Sequence, residues 1–173
     1  MDKLLPQLRK NHRIAQKALY DGLSRKMLGV CRGYVTDFHH AEDCMLRAFV
    51  KVFKNIDTYK SEGSFEGWIR RIMVNECLDF LKQSKSMIYL EEMESAAENS
   101  EIESDLTGID AQDLLDKLPE SYRTVFNLFV LEEFSHREIA ETLNISETAS
   151  KTQLLRAKKK LKDLILQQKR LAK

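Results

Sequence analysis

The sequence predicts an all-α chain: two small helical domains joined by an acidic flexible linker. Three observations carry that expectation. Only 6 glycines and 2 prolines occur in 173 residues, too few breakers for the many turns of an all-β fold. Apolar residues recur three and four positions apart, the period of a helix with one buried side. Charge falls in blocks: residues 1–85 hold 16 Lys and Arg against 10 Asp and Glu, residues 86–120 hold 1 against 11, and residues 121–173 hold 11 against 6. Two basic blocks flank an acidic one, and the formal net charge of +1 hides them.

The first domain, residues 1–85, reads as a run of helices. Ile14, Ala18, Leu19, Leu23 and Leu28 mark one helix, with a second expected from Ser24 through Val35. Between His39 and Ile56, residues Met45, Phe49, Val52, Phe53 and Ile56 share a face. Asp57 to Ser64 interrupts the pattern, and Ser64 is suited to cap a long helix reaching about Lys82, with Phe65, Ile69, Ile72, Met73 and Phe80 inward. Residues 86–110 form the linker: Glu94 to Asp105 reads ESAAENSEIESD, with too little apolar surface to recover its ordering entropy.

The second domain, residues 111–173, is also helical. Pro119 opens a helix whose apolar face is Tyr122, Val125, Phe126, Phe129 and Val130. Ser135 is placed to cap a short helix, His136 to Leu143, with Ile139 and Leu143 inward. Asn144 tolerates a left-handed helix stop, and Ser146 caps a last helix to about Gln168. A short helix, a tight turn and a longer helix make a helix-turn-helix pattern. In the last helix Leu154, Ala157, Leu161 and Ile165 point inward, while Thr148, Thr152, Arg156 and Lys159 lie roughly opposite. Short polar groups there suit base edges in a major groove and lysines suit phosphates; a solvated basic face on a packing helix is the other reading.

Two more surfaces stand out. Trp68, Arg71, Asn75, Asp79 and Lys82 form a strip beyond Ser64. Rings, amides and cations in one strip suit single-stranded DNA, and the loop from Thr58 to Gly63 suits an unstacked base; Trp68 as an ordinary core residue is the alternative. Asp43, Arg47, Val50, Lys51 and Lys54 form a mixed-charge face that suits a partner helix, or an ordinary solvated surface.

Some classes are excluded. No stretch is long and apolar enough to span a bilayer, and the start carries no signal-peptide pattern, which predicts a cytoplasmic protein without membrane insertion. Cys31, Cys44 and Cys77 are widely spaced and predict reduced thiols. His39, His40 and Cys44 match no zinc spacing, no phosphate-binding or nucleophile motif occurs, and no acid–base pair is apparent. No metal, cofactor or catalytic residue is expected, and the protein is expected not to be an enzyme.

Three segments resemble the extracytoplasmic-function branch of the sigma-70 family. Ala41-Glu42-Asp43 with Phe49-Val50-Lys51-Val52-Phe53 is similar to region 2.2. Gly63 to Ile72 with Asn75 and Asp79 is similar to regions 2.3 and 2.4. Leu118-Pro119-Glu120-Ser121-Tyr122-Arg123 with the helix-turn-helix is similar to region 4. The resemblance implies a region 2-like helical bundle, a region 4-like helix-turn-helix domain, and a factor that directs RNA polymerase to promoters. It implies a contact with the β′ clamp helices through Asp43, Arg47, Phe49, Val50, Lys51 and Lys54. The minus-ten element would meet Tyr59, Lys60, Ser61, Phe65, Trp68, Arg71, Asn75 and Lys82. The minus-thirty-five element would meet Ser146, Glu147, Thr148, Lys151, Thr152, Arg156 and Lys159. Core RNA polymerase, its β flap, promoter DNA and an anti-sigma factor are the implied partners.

The chain departs from that pattern at Leu46 and Arg47, where a Gln and an acidic residue are usual, and at Thr148, Ala149 and Ser150, where Gly, Thr and Val are common. Two alternatives remain at this stage. One is a helix-turn-helix regulator acting without core polymerase; the other is a sigma-like decoy that binds an anti-sigma protein.

Overall fold

The computed structural model describes residues 4–84 and 111–171, all of whose regular elements are helical. Contacts divide the chain into two units, Met1–Lys85 and Ser86–Lys173. The acidic linker expected over residues 86–110 lies outside the described residues.

The first unit holds α1 (Leu5–Arg9), α2 (Arg13–Tyr34), α3 (Phe38–Lys54) and α4 (Phe65–Gln83), with a 3₁₀ turn at Ile56–Thr58. Helices α2, α3 and α4 pack on one another in all three pairings, and α1 lies against α2 and the 3₁₀ turn. The expected break near Ser24 is absent. A continuous α2 forms because no proline interrupts it and its inward stripe never breaks: Ala15, Leu19, Leu23, Met27, Cys31 and Tyr34 are all buried. That stripe is rotated from the expected one, leaving Ile14 75% exposed. Local chemistry fixes the starts of α3 and α4. The Asp37 carboxylate accepts from the His40 N–H at 2.9 Å, and the Ser64 hydroxyl accepts from the Gly67 N–H at 2.9 Å. In α4 the buried set is wider than expected, adding Val74, Cys77, Leu78 and Leu81, while Ile72 and Phe80 are only half-buried. The three cysteines, one from each long helix, meet in this interior.

The second unit holds α5 (Ala111–Asp116), α6 (Glu120–Val130), α7 (His136–Leu143) and α8 (Glu147–Leu171). Helix α8 is its spine, and α5, α6 and α7 all pack on it. Leu114, Leu118, Ala157, Leu161 and Ile165 form the core beneath α5, with Tyr122 and Phe126 packed against them. On α6 the expected inward Val130 is exposed and Leu128 is fully buried instead. Pro119 takes the cap position, one residue before α6 begins.

The turn between α7 and α8 forms as expected. Ser135 and Glu138 make a reciprocal capping box: the Ser135 hydroxyl accepts from the Glu138 N–H, and the Glu138 carboxylate accepts from the Ser135 N–H at 2.8 Å. Asn144 stops α7 with φ at 56°, a left-handed conformation that its short amide tolerates. The Ser146 hydroxyl then accepts from the Ala149 N–H at 3.0 Å and starts α8.

Candidate nucleic-acid interface

In the first unit, the loop from Tyr59 to Ser64 sits on an aromatic cluster. Ring centroids lie 5.0 Å apart for Tyr59 and Phe65, 5.5 Å for Tyr59 and Trp68, and 5.9 Å for the stacked pair Phe65 and Trp68. The Tyr59 hydroxyl donates to the Gly63 carbonyl at 2.8 Å, and the Arg9 guanidinium donates to the Tyr59 carbonyl at 2.9 Å. Ser61 and Gly63 both take positive φ, 61° and 78°, which folds the loop back over its own base. Tyr59 and Phe65 are 5% and 3% exposed, so the structure corrects their expected place on the DNA surface. Their rings are the floor of the loop, held there by mutual stacking and burial. Trp68 is half-buried at the edge of the cluster; Lys60, Ser61, Arg71, Asn75 and Lys82 are exposed.

Asp43, Arg47, Val50 and Lys54 are exposed along α3, and with them Leu46, an apolar residue left out of the sequence-derived set. A groove of about 480 Å³ runs beside them, lined in part by Val50, Phe53, Lys54, Arg9 and Gln16. Two members of the expected polymerase-binding set belong to the domain's own framework. Phe49 is 2% exposed and packs on Tyr20 and Phe53, a correction to its expected surface role that follows from its place on the inward stripe of α3. Lys51 is half-exposed, but its ammonium lies 2.5 Å from Glu76 Oε2 and 3.7 Å from Asp79 Oδ2 on α4. The bond to Glu76, with both carboxylates nearby, raises the lysine pKa.

In the second unit, Ser146, Glu147, Thr148, Lys151 and Lys159 are exposed along α8, and Thr152 and Arg156 are half-buried beside them. Arg156 donates to the Tyr122 hydroxyl at 3.4 Å, a long contact that ties the middle of the strip to α6. Ser146 spends its hydroxyl on the cap. Lys160 and Lys162, exposed further along α8, add charge that the sequence-derived set omitted. Beneath the strip, His136 Nδ1 and Ser150 Oγ lie 2.9 Å apart, and the His136 ring stacks on Phe129 with centroids 4.7 Å apart. Burial lowers the His136 pKa, helped by Lys151 and Lys158 and opposed by Glu147. Sequence reasoning missed this contact, because its partners are 14 residues apart on different helices.

Among the described residues no helix is long and apolar enough to cross a membrane. A three-helix bundle with an aromatic-based loop, on one chain with a unit whose basic helix follows a capped turn, is the architecture of a DNA-binding protein of the helix-turn-helix class. Sigma-70 region 2 matches residues 19–87, and Sigma-70, region 4 matches residues 109–161. The chain is 30% identical over 182 residues to the ECF RNA polymerase sigma factor SigW of Bacillus subtilis, covering 94% of this chain and 97% of that protein. It is 28% identical over 138 residues to SigM of the same organism, covering 74% and 81% respectively. Among solved structures, the sigma factor RpoE of Bartonella quintana, in complex with the anti-sigma factor NepR, shares the fold with a TM-score of 0.52. That match has 18% identity and covers 87% of this chain and 96% of that one. The chain belongs to the ECF RNA polymerase sigma factors of the sigma-70 family.

Proposed function

We propose that this sigma factor binds core RNA polymerase through the exposed face of α3, captures melted minus-ten DNA over the Tyr59–Ser64 loop and α4, and reads the minus-thirty-five duplex with α8. The observation that carries the reading is the presentation of α8. A capping box, a left-handed Asn144 and the Ser146 cap set its start, and Thr148, Lys151 and Lys159 are exposed along it. Such a helix suits a major groove, with short polar side chains near bases and lysines near phosphates.

The first unit supplies the second half of the reading. Lys60, Arg71 and Lys82 suit phosphates, Trp68 offers the accessible ring of its cluster, and Asn75 offers an amide on the same strip. Capturing unstacked bases shifts duplex DNA toward the open form, so melting here is a binding equilibrium. Two moderate contacts on one chain raise each other's effective concentration. Nucleotide chemistry belongs to the polymerase, and the protein acts in the cytoplasm. Leu46 and Val50, 44% and 50% exposed on the helix that also carries the exposed Arg47 and Lys54, suit the apolar side of a helix from the polymerase or from an anti-sigma factor.

Run-off transcription with core polymerase and a library of promoters tests the reading. Initiation that depends on this chain is the expected result. Duplex binding without initiation would favour a free-standing regulator, and neither would favour a decoy.

A further inference from the structure

The hydroxyl of Ser150 has no access to solvent. A hydroxyl buried this way is costly unless it is hydrogen-bonded. Its partner is His136, the first residue of α7. The imidazole is itself held twice: its face lies on Phe129 of α6, and its backbone directly follows the capping box at Ser135. One point therefore joins α6, α7 and α8, and it lies one turn into α8, among the residues that would face DNA.

Apart from the long Arg156–Tyr122 contact at 3.4 Å, the inward contacts that follow along α8 are of a different kind. Leu154, Ala157, Leu161 and Ile165 are buried through apolar packing, which is non-directional and tolerates small rotations and slides. A hydrogen bond at 2.9 Å does not, since it weakens steeply with misalignment. Each residue of helix advances the azimuth by about 100°, so a modest rotation of α8 carries Thr148 and Thr152 away from the base edges they would meet. Lysines on long stems can follow a phosphate through the same rotation.

We propose that His136 is a positioning residue: through Ser150 it fixes the rotation of α8, and so governs which upstream element is selected more than how tightly DNA is held. This rests on α8 being the recognition helix.

The test uses the full chain with core polymerase on promoters whose upstream element is randomised, with the transcribed templates sequenced. H136F keeps a ring on Phe129 and removes Nδ1; S150A removes one oxygen; H136N returns a polar atom near the position of Nδ1. Melting curves of each chain report folding. H136F and S150A are expected to lower the preference for the wild-type element by about fivefold, the scale of one hydrogen bond. The double variant should lose no more than either single, and H136N should keep the preference within about twofold on that same scale. If H136F melts below the assay temperature, S150A carries the same expectation. Unchanged preference in S150A, or uniformly weaker initiation with the preference intact, overturns the inference while leaving the sigma-factor reading standing. A wild-type chain that initiates nothing, or enriches no upstream element, overturns both.

Discussion

Lys51 of α3 reaches Glu76 of α4, its ammonium 2.5 Å from Oε2, and Glu76 is 6% exposed. The pair ties the helix that would face polymerase to the helix that would face melted DNA. Removing Lys51 leaves a carboxylate buried without its counter-charge, the costly way to break such a pair. Lys51→Ala is expected to destabilise the first unit by about 1–2 kcal/mol, allowing for screening of the half-exposed ammonium. Lys51→Met with Glu76→Gln should recover most of that. Urea unfolding of wild type, Lys51→Ala, Lys51→Met, Glu76→Gln and the double variant checks it, and a double variant whose change is the sum of those of Lys51→Met and Glu76→Gln would show the two residues to be uncoupled.

The His136 environment gives a pH dependence with a definite sign. Its folded pKa lies below the ordinary value of 6.5, so the unfolded chain takes up the proton first as pH falls. The corresponding stability of the second unit is fully present above about pH 6.5. It is lost progressively as pH falls toward the folded pKa and levels off below it. Melting at pH 7.5 and at pH 5.5 should show a drop in wild type that is smaller in His136→Phe; equal drops would assign the effect to other groups.

On the proposed function, Trp68 and Asn75 would act on melted DNA. Trp68→Ala is expected to cut run-off from a duplex promoter by about tenfold, the scale of one base–aromatic stack, and Asn75→Ala to cut it in the same direction. A template with a pre-opened minus-ten bubble should restore much of the loss. If the bubble restores nothing, the strip serves some step other than strand opening.

Lysines on α8 predict salt dependence instead of selectivity. Lys151→Ala and Lys159→Ala should each weaken holoenzyme binding to its selected promoter and flatten the slope of log affinity against log salt by about 0.9. Filter binding across a salt series measures this. A slope that does not move would place both lysines away from phosphate.

What the sequence disclosed divides along a physical line. The Ser135–Ser146 turn was readable because each of its devices is local: a cap, a box partner three residues on, a left-handed Asn144 and a second cap. The short helices Leu5–Arg9 and Ala111–Asp116 were not anticipated, since five or six residues do not complete a helical pattern. The spacing starts the inward stripe of α2 at Ile14, whereas Ala15 is the residue buried; that rotation depends on α3 and α4, which the local pattern does not contain. The same holds for the aromatics. Tyr59 and Phe65 looked available beside a loop, and only their stacking with Trp68 shows which rings are floor and which is rim.

The meeting of Cys31, Cys44 and Cys77 has a consequence for how the protein meets oxidants. None of the three thiols has solvent access, and Cys77 is held protonated by its hydrogen bonds to the other two and by burial. A peroxide or disulfide reagent therefore cannot reach any of the three sulfurs while the bundle stays closed. Alkylation of the folded chain should proceed only at the pace of its opening, so redox sensitivity in a cell carrying this factor would have to enter through another molecule.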